Sequence, residues 1–145
     1  MTLLCEKLRA LSEKVPHRVT VLSNACSLLW QEMERINWAG FYFLEKGDLY
    51  LGPFQGKPAC VKIEKGKGVC GAAAQRDQTL LVPDVHAFPG HIACDSASMS
   101  EIVIPLHKNG ALWGVLDVDS PEKDRFTEED RILLEEFAQT LEAYL

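Results

Sequence analysis

Apolar residues recur every three to four positions at both ends of the chain, as they do on amphipathic helices. Near the N-terminus, Leu4, Leu8 and Leu11 share one face of a predicted short helix. A longer apolar stripe predicts a second helix with polar residues on its other side. Thr127 and Asp130 form a capping-box-like start for a C-terminal helix. The stripe of the second helix comprises Val19, Leu22, Cys26, Leu29, Met33 and Ile36, and that of the C-terminal helix comprises Leu134, Phe137, Leu141 and Tyr144.

Between these ends, short apolar stretches bounded by turn residues predict strands. The sequence WAGFYFLE, a turn at 46–48 and LYLGPF predict one β-hairpin. EIVIPL and ALWGVLDVDS, joined by a turn at 108–110, predict a second. ACVKI at 59–63 predicts a half-buried strand, and TLLVPDV at 79–85 predicts a short one.

Two further stretches separate the predicted strands. GKGVCGAAAQR predicts a loop that leads into a short helix, and HAFPGHIACDSASMS predicts a long irregular segment. Irregular segments of that length in a compact domain are usually functional or disordered. The element order predicts an α+β fold, with a central antiparallel sheet and the N- and C-terminal helices packed on one face. We expect a ligand pocket on the opposite face, covered by the insertions from Gly66 to Ser100.

Composition narrows the function classes. The chain has 145 residues, the size of one domain, and we predict a single domain over 1–145. Its net charge of -6 and the absence of a basic stripe argue against a nucleic-acid partner. No apolar run approaches the ~20 residues of a membrane span, and the N-terminus lacks a signal-peptide core, so we expect a cytoplasmic protein. Five cysteines are an odd number, which argues against a structural disulfide framework and leaves room for a catalytic disulfide.

Two aspartates end the second hairpin. Asp117 and Asp119 lie two apart on a strand and therefore share a face, which Trp113 and Val115 precede. Counting from the turn at 108–110 places the pair opposite residues 100–102, within a residue or two, and so near Glu101. Such carboxylates need a cation, a shared proton or solvent. The strand end can equally fray into solvent, since Asp is common before turns.

Three cysteines in the middle of the chain form the second candidate constellation. Cys94 follows His91 by three residues, and Cys70 lies at the start of a predicted helix, where the helix dipole would lower its pKa. Cys60 lies on the predicted strand with Lys62 on the less apolar face. A redox pair is the favoured interpretation. Zinc bound by the three thiols and a histidine is a weaker one, because no C-x2-C pair is present, and ordinary buried thiols also fit the spacing.

The sequence blocks around these residues resemble one enzyme family. INWAGFY, LGPFQGKPACVKI, GKGVCGAAA, DVHAFPGHIACDSASMSEIVIPL and GVLDVDSPEKDRFTEED are similar to the free methionine-(R)-sulfoxide reductases, which are built on the GAF fold. The likeness runs from about Asn37 to Asp130. It implies a single GAF domain that reduces free L-methionine (R)-sulfoxide to L-methionine, without a bound cofactor or metal, and that forms a homodimer.

The resemblance also implies roles for individual residues. Cys94 would attack the sulfoxide sulfur and become a sulfenic acid, Cys60 would resolve it as a disulfide, and thioredoxin would reduce that disulfide. Cys70 matches a third family cysteine with a less direct role. Trp38 and Tyr42 match aromatic residues of the substrate pocket. Glu101, Asp117 and Asp119 match acidic residues that hold the substrate and assist at the sulfoxide. The backbone of Ile92, Ala93 and Cys94 matches the segment whose amides help bind the polar end of the substrate.

A rival interpretation is a non-catalytic GAF module that binds a small molecule and signals to a partner. GVLDVDS and FTEED are elements that GAF domains share in general. The cysteine-bearing blocks are more specific, and a sensor has no need of Cys60 and Cys94 together. Fold alone does not establish function, so the choice depends on the site.

Overall fold

Six antiparallel strands form the central sheet of the computed structural model, which describes residues 2–92, 94 and 97–145. The strand order confirms both predicted hairpins. They pair with each other at the centre of the sheet, where β1 of the first hairpin lies beside β6 of the second. The strand predicted at 59–63 is shorter than predicted and begins later, at Lys62. In chain order the strands are β1 (Trp38–Glu45), β2 (Asp48–Gly56), β3 (Lys62–Glu64), β4 (Leu80–Val82), β5 (Ser100–Lys108) and β6 (Ala111–Ser120). The sheet order is β3-β2-β1-β6-β5-β4.

Four α-helices cover the sheet within the described part of the chain: α1 (Leu3–Ser12), α2 (Arg18–Glu32), α3 (Gly68–Arg76) and α4 (Glu128–Glu142). α1, α2 and α4 pack on one face, as predicted, and α3 packs on the other. Thr127 and Asp130 form the predicted capping box of α4. A short 3-10 helix occupies Val85–Ala87. None of the described helices is long and apolar enough to cross a lipid bilayer.

The buried face of α1 differs from the predicted leucine stripe. Cys5 and Leu8 are fully buried, whereas Leu11 is 48% exposed. Ser12 takes the buried position instead, and its hydroxyl donates to the carbonyl oxygen of Leu8 at 2.7 Å. Because α1 packs against both α2 and α4, its buried stripe is centred on positions 5, 8 and 12.

The strands separate two apolar layers. On β1, Ala39 and Phe41 face the layer beneath α1, α2 and α4, while Trp38 and Tyr42 face the layer beneath α3. The alternation follows from the two-residue period of a strand. Every strand buried on both faces can therefore carry core residues on one side and a site on the other.

A β-bulge at Trp113 changes the predicted alternation on β6. His107 pairs with Leu112 but Leu106 pairs with Gly114, so Trp113 is an extra residue. The prediction that Trp113 shares the face of Val115 is wrong: Trp113 packs in the helix-side layer, edge-on to Phe43 at 4.8 Å between ring centroids. Leu112 packs in the pocket-side layer.

The same bulge shifts the register of the second hairpin by one residue. Without it, the two-residue turn would place Asp119 opposite Ser100. With it, Asp119 pairs with Glu101 and Asp117 pairs with Val103. Since paired residues share a face, the shift brings Glu101 onto the face of the two aspartates.

Candidate active site

Carboxylates and an aromatic residue form one row across three neighbouring strands on the α3 side of the sheet. Trp38 on β1 pairs with Asp119 on β6, and Asp119 pairs with Glu101 on β5. Asp117 lies in the next row, opposite Gly40. A Cβ at position 40 would come within 2.7 Å of the Trp38 ring, so the indole can occupy its observed position only because residue 40 is glycine. The antiparallel pairing thus brings Trp38 to carboxylates that lie more than 60 positions later in the sequence.

α3 and the loop that carries Cys94 cover this row and enclose a cavity. The loop is tied to the start of α3 by the amide of Gly68, which donates to the carbonyl oxygen of Gly90 at 3.1 Å. The cavity is partly open to solvent and has a free volume of about 40 Å³. Its lining comprises Trp38, Tyr42, Ala59, Ile63, Lys67, Gly68, Val69, Cys70, His91, Ile92, Cys94, Ser98, Glu101, Asp117 and Asp119.

The three carboxylates are buried rather than solvated. Glu101 is 8%, Asp117 5% and Asp119 9% exposed, so the interpretation that this strand end frays into solvent is wrong. Burial, followed by the charges of Asp119 and Glu101, raises the pKa of Asp117 well above its ordinary value. Among the described residues, no cationic side chain forms an ion pair with Glu101 or Asp117. The cluster is therefore built to hold a proton or to receive a cation.

Cys70 lies beside the carboxylates, in the first turn of α3. Its thiol donates to Glu101 Oε2 at a sulfur–oxygen distance of 3.7 Å. The prediction that the helix dipole lowers the pKa of Cys70 is wrong. Burial and then the charges of Asp117, Glu101 and Asp119 raise that pKa well above its ordinary value. The partial charge of a helix N-terminus, about half a unit, does not offset a buried site with three acids.

Cys60 and Cys94 are bonded to each other, with a Cα–Cα distance of 5.3 Å. The prediction that Cys60 lies on a strand is wrong. Cys60 lies in the irregular segment between β2 and β3. Both are half-buried at the cavity rim, whereas Cys5, Cys26 and Cys70 are buried free thiols. While the disulfide is present, the three central cysteines cannot together bind zinc.

Two aromatic side chains of the cavity hold the segment that carries Cys60. The Tyr42 hydroxyl donates to the carbonyl oxygen of Cys60 at 2.9 Å, and the Trp38 indole donates to that of Lys57 at 3.1 Å. Trp38 also stacks on Phe54 and on Tyr42, at centroid distances of 5.3 and 5.9 Å. Burial, with the nearby acidic groups, raises the pKa of Tyr42 above its ordinary value, so the phenol stays a donor.

We expect Tyr42→Phe to weaken the Cys60–Cys94 disulfide roughly three- to tenfold relative to glutathione, because one hydrogen bond contributes about 0.5–1.5 kcal/mol. Equilibration in glutathione redox buffers, followed by thiol alkylation and mass spectrometry, measures the ratio. Tyr50→Phe on β2 is the matched control, since its ring lies over Lys62. An unchanged ratio in Tyr42→Phe would show that the hydrogen bond does not position Cys60.

The structure brings together all the predicted site residues that it describes. Trp38, Tyr42, Cys70, Glu101, Asp117 and Asp119 line the cavity with Cys94, and Cys60 packs at its edge. Ile92 lies at the rim and is 38% exposed. The amide of Cys94 donates to the carbonyl oxygen of Ile92 at 3.0 Å, within its own loop. Ala93 lies outside the described residues, so its predicted role stays a prediction.

Several lining residues were not predicted. Ala59, Ile63 and Val69 supply apolar wall, and Phe54 backs Trp38. Lys67 precedes α3 and Gly68 begins it. The glycines at positions 66 and 68 were the available signal, since glycines at the start of a helix mark close backbone approach. Ser98 accepts a hydrogen bond from the Asn37 side chain at 3.2 Å, which no sequence pattern indicates.

The sequence and the fold are similar to those of known proteins. A GAF domain model matches residues 8–145. The chain is 52% identical, over 127 residues, to the free methionine-R-sulfoxide reductase of Escherichia coli K12, covering 88% of this chain and 77% of that one. It superposes on fRMsr of Staphylococcus aureus, solved in complex with substrate, with a TM-score of 0.93, 48% identity and coverage of 99% and 94%. The free methionine-R-sulfoxide reductase of Neisseria meningitidis, in complex with its substrate, gives a TM-score of 0.94 at 39% identity, covering 97% and 85%.

Proposed function

Because this chain belongs to the free methionine-R-sulfoxide reductases of the GAF-domain family, we propose that it reduces free L-methionine (R)-sulfoxide to L-methionine. One observation carries the proposal: the cavity that holds the buried carboxylates also holds Cys94, which is paired with Cys60. A nucleophile, a proton source and a second thiol are what sulfoxide reduction requires.

The reaction begins from the dithiol form. The Cys94 thiolate attacks the sulfoxide sulfur while a proton is delivered to the sulfoxide oxygen, which gives an adduct with a sulfur–sulfur bond. The hydroxyl group of this adduct then moves to the Cys94 sulfur as the sulfur–oxygen bond of methionine and the sulfur–sulfur bond break. Methionine leaves with its sulfur reduced by two electrons, and Cys94 is oxidised to a sulfenic acid. The Cys60 thiol then attacks the Cys94 sulfur, water leaves, and the Cys60–Cys94 disulfide forms.

The carboxylate cluster supplies the proton and holds the amino group. Oxide is a poor leaving group, so breaking the sulfur–oxygen bond needs an acid in the transition state. Asp117 is the proposed acid, because burial and its acidic neighbours raise its pKa well above its ordinary value and favour the protonated form. The carboxyl groups of Glu101 and Asp119 receive the ammonium group of a free amino acid. The stacked rings of Trp38, Tyr42 and Phe54 form an apolar surface for the thioether methyl group.

Cys70 is not a nucleophile in this scheme. The raised pKa keeps it a thiol, and only a thiolate attacks sulfur efficiently. Its hydrogen bond to Glu101 gives it a positioning role in the carboxylate cluster.

We expect free methionine (R)-sulfoxide to be reduced with a kcat/KM at least about 100-fold above that of its N-acetyl derivative. Acetylation removes the cation, so a buried carboxylate is left without its partner at a cost of several kcal/mol. Methionine and N-acetylmethionine released in the presence of dithiothreitol are quantified by chromatography. Equal rates would refute the role of the carboxylates, and no product from either compound would favour the GAF sensor module.

Thioredoxin is the reductant we propose for the Cys60–Cys94 disulfide, and a cytoplasmic location would supply it in the dithiol form. Val61, next to Cys60, is 74% exposed, and Ile92, near Cys94, lies at the rim, so an apolar surface surrounds the disulfide. NADPH oxidation coupled through thioredoxin and thioredoxin reductase tests this step. The homodimer implied by family resemblance is tested by sedimentation.

A further inference from the structure

The Cys70 thiol lines the cavity, takes no part in the disulfide and lies beside residues of types that can bind metals. The Cys70 Sγ, a carboxylate oxygen of Glu101 and one of Asp117 all lie within 4.8 Å of one another, and all three residues are buried. The sulfur–oxygen distance from Cys70 to Glu101 is 3.7 Å. Cys70 sits on α3 and the acids sit on β5 and β6, so the three ligand atoms converge from separate elements.

The distance from Cys70 Sγ to Glu101 Oε2 fits one edge of a tetrahedral zinc site. Zinc bonds to sulfur at about 2.3 Å and to carboxylate oxygen at about 2.0–2.2 Å, so the sulfur–oxygen edge of the tetrahedron is about 3.5 Å. The observed 3.7 Å is within a few tenths of an ångström of this edge. Three protein ligands with a fourth position left to water is the arrangement of open zinc sites.

A second observation points to a ligand at this place. Asp117 is only 5% exposed, and its Oδ1 has no hydrogen-bond partner among residues 2–92, 94 and 97–145, although the side chain lines the cavity. One thiolate and two carboxylates would carry three negative charges in a buried site. No ion pair of Glu101 or Asp117 offsets them in the described part of the chain.

We propose that Cys70, Glu101 and Asp117 bind a thiophilic divalent cation such as Zn²⁺, and that the bound cation excludes the substrate. The thiol proton leaves to solvent as the metal–sulfur bond forms. The sulfur ligand favours zinc or cadmium over magnesium and calcium, which prefer six or more oxygen ligands. Inhibition by the cation rests on the proposed function, because the cation would occupy the place of the substrate ammonium. The existence of the metal-binding site does not rest on that function.

Cadmium titration of the oxidised protein tests the site without any assay of activity. With Cys60 and Cys94 joined as a disulfide, only the three buried thiols remain as sulfur ligands. We expect one equivalent of Cd²⁺ to produce the ultraviolet thiolate-to-cadmium charge-transfer band, and excess free methionine to abolish it. Cys70→Ser removes the band, and Cys26→Ala, the matched control on α2, retains it.

Glu101→Gln keeps every thiol and lowers the cadmium affinity at least about tenfold, which tests the site even if Cys70→Ser does not fold. An unaltered band in folded Cys70→Ser, an unchanged affinity in Glu101→Gln, or no band in the wild-type protein would overturn the site.

Single-turnover reduction by the pre-reduced enzyme, without added thiol, tests inhibition. We expect Zn²⁺ to raise the substrate concentration that gives half of the maximal single-turnover rate, with that maximal rate unchanged. We expect a chelator to reverse this effect and Cys70→Ser to lose the sensitivity. Inhibition that persists in Cys70→Ser would assign the metal to Cys60 and Cys94 and overturn the proposal. An enzyme inactive on methionine sulfoxide at all metal concentrations would refute the proposed function, while the cadmium titration would still decide the site.

Discussion

Replacing Cys94 with serine is expected to abolish reduction of methionine sulfoxide, with kcat falling by roughly four orders of magnitude or more. A serine hydroxyl is a much weaker nucleophile than a thiolate, and it cannot take up the oxygen as a sulfenic acid. No other thiol of the cavity compensates, because burial and the three acids keep Cys70 protonated. Methionine released with dithiothreitol, and separately with the thioredoxin system, measures the loss.

Two variants separate loss of the nucleophile from loss of the fold. Cys60→Ser should still release one methionine per chain in a single turnover but should block cycling through thioredoxin, because the disulfide cannot form. Cys26→Ala, in the helix-side layer, should retain turnover. Normal activity of Cys94→Ser would contradict the mechanism, and loss of the first turnover in Cys60→Ser would exchange the roles of the two cysteines.

Asp117→Asn is expected to lower kcat by about 10²–10⁴-fold, because the amide cannot donate the proton that the sulfoxide oxygen needs. The same change should stabilise the free protein at neutral pH. The native pKa of Asp117 lies above the unfolded value near 3.8, so from about pH 4 upward the native state holds a proton that the unfolded chain releases. Stability of the wild-type protein therefore falls as pH rises toward the native pKa, and Asn removes this contribution.

Urea unfolding between pH 4 and neutrality measures the second effect. We expect the stability difference between Asp117→Asn and wild type to be small near pH 4 and to grow in favour of the variant by up to about 1.4 kcal/mol for each pH unit below the native pKa. Asp124→Asn, an exposed control, should stay within about 0.5 kcal/mol of wild type at every pH. A difference that does not grow with pH would show that Asp117 is ionised in the native state, and unchanged kcat would remove it as the acid.

Local patterns determine much of this fold. The three-to-four spacing on α2 and α4, the alternation on β1 and the capping box at Thr127 each report how one element buries one face, which depends only on nearby residues. The turn at Asn109 and Gly110, both with positive φ, follows from residue types that tolerate that conformation. Family resemblance, rather than spacing, identified Cys94 and Cys60 as partners.

The site itself was decided by contacts between distant residues. The single extra residue at Trp113 moves Glu101 opposite Asp119, and hence onto the pocket face, although no period in the sequence marks the bulge. The direction of the Cys70 pKa shift depends on three acids carried by other elements, not on its own helix. The sequence by itself determined which elements form and which chemical groups are present. Only the tertiary structure decided their register and electrostatics, because pairing across strands and exclusion of water exist only once distant segments pack together.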